Sequence, residues 1–97
     1  MATYISLLRF TKQGIENIKD SPARLEDAKK LFKSLGAELK EFYLVTGRYD
    51  AVVVTEGPDD ETAAMLVLKI GSLGAVRTET MRAFPEKEYK KIVGAIP

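Results

Sequence analysis

The chain has 97 residues, 45% hydrophobic and 30% charged, with fifteen basic side chains against fourteen acidic ones and a net charge of +1. That length suffices for one core and not for two, and the composition is that of a folded chain rather than a disordered one. The near-even charge gives no electrostatic reason to expect a nucleic-acid backbone or an acidic membrane surface as partner.

Ala2 to Phe10 is rich in β-branched and aromatic residues and predicts a first strand. Ile5 and Leu7 fall on one side of it, Tyr4, Ser6, Leu8 and Phe10 on the other. Thr11 offers a helix cap, and Lys12 to Lys19 predicts a short irregular helical turn weakened by Gly14. Ser21-Pro22 then opens a longer helix, with the hydroxyl at the N-cap and proline at the first helical position. Leu25, Ala28, Leu31, Phe32 and Leu35 repeat at helical spacing until Gly36 ends the segment.

Ala37 to Val45 predicts a second strand, with Leu39, Tyr43 and Val45 on one side and Phe42 and Leu44 on the other. Gly47 at the first central position of Thr46-Gly47-Arg48-Tyr49 suits a two-residue type II′ hairpin. Asp50 to Glu56 forms a third strand, broken by Gly57-Pro58. Asp59, Asp60 and Glu61 place negative charge where a helix dipole favours it, and that helix runs to a glycine stop at Gly71 or Gly74. Ala75 to Phe84 predicts a fourth strand, with Arg77 and Glu79 sharing one face. Pro85 opens a terminal helix ended by Gly94.

The order strand-helix-strand, hairpin, strand-helix-strand predicts an α+β, ferredoxin-like βαββαβ sandwich with an extra C-terminal helix, a single domain over 1–97. Right-handed crossovers put strands one and three in the centre and two and four at the edges. Strands one to three carry apolar residues on both faces, whereas a lone sheet covered by helices on one side needs only one apolar face. Burial on both sides is therefore expected, with a second copy as the economical cover and the terminal helix as the alternative.

No histidine and no cysteine occur. Disulfides, imidazole or thiolate metal sites, and nucleophiles built on Ser-His-Asp or Cys-His pairs are thereby removed. Asp59-Asp60-Glu61 are consecutive acids that diverge around a helix, so no metal and no cofactor are expected there. Valines stand where a ferredoxin-like RNA binder needs stacking aromatics, and no basic stripe accompanies them. The longest apolar run, Ala63 to Leu68, is too short to cross a bilayer. A start without a basic region, running straight into strand-like alternation, predicts no signal peptide and hence a cytoplasmic protein. On strand four, Arg77 and Glu79 read as edge charges that block sheet-to-sheet aggregation, or as the polar wall of a pocket near Tyr4, Ser6 or Tyr49.

Gly47-Arg48-Tyr49-Asp50 resembles the G-x-Y-D signature of the GYD domain family. The Glu56-Gly57-Pro58-Asp59-Asp60 segment, the Thr78-Glu79-Thr80-Met81-Arg82-Ala83-Phe84 strand and the Glu88-Tyr89 pair are similar to that family's pattern, so the resemblance covers nearly the whole chain. It implies a dimeric α/β-barrel type of assembly in which two ferredoxin-like protomers pack sheet to sheet. The wider group includes cofactor-independent monooxygenases, haem-degrading enzymes, muconolactone isomerases and ligand-sensing regulators; the histidine some of them use has no counterpart here. Two functional expectations follow. One is a homo-oligomeric small-ligand-binding or assembly module, with Gly47, Arg48, Tyr49, Asp50, Tyr4, Arg77, Thr78 and Thr80 as family-motif or ligand residues. The other is a cofactor-independent enzyme, monooxygenase- or isomerase-like, acting on a small aromatic or enolisable substrate. There Asp50 would be the base, Tyr49 and Tyr4 donors, and Arg48 or Arg77 the anchor for an anionic group.

Overall fold

A computed structural model describes residues 1–97. Strand β1 (Ala2–Phe10) leads through a short helix α1 (Lys12–Glu16) and a 3₁₀ turn over Ile18–Asp20 into α2 (Ser21–Ser34). Strands β2 (Glu38–Leu44) and β3 (Ala51–Gly57) form the hairpin, followed by α3 (Asp60–Ser72), β4 (Val76–Ala83) and α4 (Glu86–Gly94). The sheet is antiparallel in the order β2-β3-β1-β4, as the crossover rule predicts.

Local chemistry accounts for the boundaries. Thr11 caps α1 by accepting the Gly14 N–H at 3.1 Å, and its own hydroxyl donates to the Gly74 carbonyl at 2.5 Å. The Thr11 N–H reaches the Ala75 carbonyl at 3.0 Å. These bonds tie the end of β1 to the turn that feeds β4. Gly14 is required there because a Cβ would come within 2.0 Å of the Ala75 carbonyl oxygen. Asp59 caps α3 through the Thr62 N–H at 2.8 Å, and Gly74, at φ +86°, ends that helix's turn in the left-handed region.

Three sequence expectations need correction. Ser21 lies inside α2, with Asp20 in the capping position making no side-chain bond, because the 3₁₀ turn runs directly into the helix. The hairpin is not a two-residue turn: Leu44 pairs with Ala51, and the Val45 N–H closes a longer loop onto the Asp50 carbonyl at 2.9 Å. The register of β2 shifts between Leu39 and Glu41. Leu39 therefore pairs with buried Thr55 and joins Phe42 on the helix side, while Tyr43 stays on the other side.

The helices lie on one face. α2 packs on β2, and α3 on β4 and β3. Tyr4, Ala51, Val53 and Leu66 are buried in this layer, but no large side chain is fully enclosed. The opposite face is bare. Its centre holds Ile5 and Leu7 beside Val54 and Val52, flanked by Met81 on β4 and Tyr43 on β2. The terminal helix does not cover it. Tyr89, Ile92 and Val93 of α4 are themselves exposed, and an Arg82–Glu88 ion pair of 3.9 Å ties α4 to the body.

Candidate functional site: the GYD hairpin and the helix-side cleft

The residues singled out from sequence fall into two groups, one around the hairpin and one on the helix side of the sheet. The first surrounds the hairpin. Asp50 directly precedes β3, and its backbone N–H donates to the Leu8 carbonyl at 2.8 Å. Its Oδ2 accepts the Phe10 N–H at 2.9 Å, continuing the β1–β3 ladder beyond its last paired residues. The carboxylate thus replaces a missing backbone acceptor. Arg9 Nε donates to the Arg48 carbonyl at 3.1 Å, and its guanidinium lies 4.9 Å from the Tyr49 ring centre. Glu79 raises the pKa of the Tyr49 phenol. Arg77 stands opposite Arg9 on the bare face. Gly47, at φ +125°, supplies a backbone conformation side chains rarely adopt. The hairpin motif therefore latches β3 to β1 and frames one end of the bare face.

The second group is on the helix side. Tyr4, Thr78 and Thr80 all point into the layer between sheet and helices, where the Thr80 and Ser6 hydroxyls share a 2.8 Å hydrogen bond. The Tyr4 hydroxyl donates to Asp60 Oδ1 at 2.5 Å. This bond, followed by burial, pushes the Tyr4 phenol up to about 12. Arg82 stacks on Phe84 at 4.5 Å and lies 5.7 Å from the Tyr4 ring centre. It also donates to the Thr3 carbonyl at 3.2 Å and to the Ala83 carbonyl. Between α3 and β4 these residues border an open cleft of about 850 Å³, whose walls are Ala63, Ala64, Val67 and Leu68.

Tyr4 and Asp50 do not meet. Tyr4 is near the start of β1 and Asp50 reaches Phe10 at its end, about 20 Å away at strand spacing. Sequence reading missed Asp60 and Arg82 as the partners of Tyr4. Asp60 was visible only as a helix-dipole acid, and a contact 56 residues away leaves no local signal. No group of three or more acidic side chains is placed to hold a metal ion.

The GYD domain profile matches residues 4–93. The chain belongs to the GYD domain family. A Thermus thermophilus member is 35% identical over 86 residues, spanning 88% of this chain and 90% of that protein. It is named glutamine synthetase and cystathionine beta-lyase binding protein. A crystal structure of a Thermus thermophilus protein is 31% identical and superposes with a TM-score of 0.55, covering 87% of this chain and 94% of that one. The feast or famine regulatory protein of M. tuberculosis, solved with L-methionine, gives a TM-score of 0.66 at 18% identity over 87% of this chain and 50% of that one. At that identity the likeness extends to the ferredoxin-like fold alone. No helix of this GYD protein is long and apolar enough to cross a membrane.

Proposed function

We propose that this GYD protein is a non-catalytic assembly module of the cytoplasm, in which two copies pair through the bare sheet face and the pair docks onto a metabolic enzyme. The bare face carries this reading. The 10.8 kDa chain exposes 6786 Å², whereas a folded monomer of that mass exposes about 5,500 Å². Its radius of gyration, 14.6 Å, exceeds the roughly 12.5 Å of a domain this long. The surplus surface is more than the roughly 800 Å² per partner that a standard interface removes. A second copy presents the same apolar strip, so a twofold pairing covers both at once.

The docking step draws on the Thermus relative, whose name assigns it two enzyme partners. The enzyme reading lacks a comparable support: the intended base, Asp50, accepts a backbone N–H, and of its two intended donors, Tyr49 and Tyr4, the second is at the far end of β1. The test is to mix the purified protein with purified glutamine synthetase and cystathionine β-lyase of its own source organism and follow co-elution by size-exclusion chromatography with light scattering. A dimer that co-elutes with one of the two at micromolar concentration is expected. Failure to co-elute with either would overturn the docking step.

A further inference from the structure

On the face opposite the bare one, α2 and α3 sit toward opposite edges of the sheet and leave the second half of β1 uncovered between them. A gap of about 600 Å³, partly open to solvent, lies there against Leu8, Phe10, Leu25, Phe42, Val53 and Ile70. The only polar side chains on its wall are Ser21 and Arg24, from the first turn of α2. Arg24 Nη1 donates to the Asn17 carbonyl at 3.2 Å. Arg24 Nη2 is buried and has no hydrogen-bond partner, and no carboxylate lies within ion-pair distance of this guanidinium.

An arginine does not escape burial by losing its proton, so an unpaired buried guanidinium nitrogen is a standing demand for an acceptor. A carboxylate meets that demand with charge-assisted hydrogen bonds. Apart from Ser21 the rest of the wall is apolar, and a few placed polar groups in an apolar concavity are what fix a ligand's orientation. No acidic side chain lines the gap, so an ammonium group brought in with the carboxylate would be buried unpaired.

We infer that the gap between α2, α3 and β1 is a binding site for an apolar monocarboxylate, its hydrocarbon or aromatic body against Leu8, Phe42 and Ile70 and its carboxylate on Arg24. Amino acids and amines are excluded by the missing counter-charge. The site is independent of protomer pairing, because it lies behind the sheet face that step uses.

Calorimetric titration of the full chain with octanoate, octanol and octylamine tests this. Octanoate is expected to bind at least about tenfold more tightly than either of the others. Arg24→Met should weaken octanoate about tenfold or more while leaving octanol within about threefold. Ala28→Phe, which fills the gap without touching the charge, should abolish binding of octanoate and octanol alike and provides the answer should Arg24→Met not fold. The inference is overturned by no octanoate binding at about millimolar concentration, by octanoate and octanol affinities within about threefold, or by a folded Ala28→Phe protein that still binds octanoate.

Discussion

Replacing Tyr4 with phenylalanine deletes one hydroxyl that joins β1 to the start of α3. Tyr4 is 6% exposed, and its hydroxyl reaches Asp60 at 2.5 Å. The phenol is pushed from 10.0 to about 12, first by this hydrogen bond and then by burial. In the unfolded chain the same phenol ionises about two units earlier, so folding favours the protonated form. The stabilisation is therefore complete below pH 10 and is lost as pH rises toward 12. Two units correspond to at most about 2.7 kcal/mol. Asp60 is exposed, and solvent screening at that end lowers the working figure to about 1–2 kcal/mol. Urea denaturation of the wild type and Tyr4→Phe across alkaline pH reads this directly. The wild type should be more stable by about 1–2 kcal/mol near neutral pH, with the difference shrinking steadily above pH 10. A constant difference across that range would refute the assignment of the Tyr4–Asp60 bond as the source of the shift.

Other substitutions test the latches. Asp50→Ala leaves the Phe10 N–H without its acceptor and should cost about 1–3 kcal/mol in thermal or chemical denaturation; an unchanged midpoint would remove the ladder-extending role. Gly14→Ala forces a Cβ into the Ala75 backbone and should destabilise by more than about 2 kcal/mol, seen as a lowered melting temperature. Thr11→Val loses both the α1 cap and the bond to Gly74, and about 1–2 kcal/mol of stability with them, while leaving the secondary-structure spectrum intact.

Runs of β-branched and aromatic residues and glycine stops made the element order readable, because strand propensity in β1 and β3 and the left-handed Gly36 and Gly74 are local features. Leu39 was placed on the wrong face because a bulge changes alternation without changing residue type. The hairpin signal located the turn but not its length, since Asp50 is drawn out of β3 by its bonds to β1. The Phe10 N–H that Asp50 accepts comes from 40 residues away and leaves no local signal. Arg24 and the Tyr4–Asp60 pair were hidden for a related reason: their roles depend on what lies across the sheet, and no spacing along the chain encodes that. Apolar residues on both faces of the strands, by contrast, announced the bare face from the sequence itself.

The paired protomer is tested most directly by sedimentation equilibrium of the wild type beside Ile5→Lys. Ile5 sits at the middle of the bare face, between Val54 and Met81, where burying each valine- or leucine-sized side chain is worth roughly 1.5–3 kcal/mol. The wild type should sediment as a dimer or a multiple of it at micromolar concentration, and Ile5→Lys as a folded monomer. A wild type that remains monomeric, with Ile5, Leu7, Val52 and Val54 wetted, would contradict the pairing.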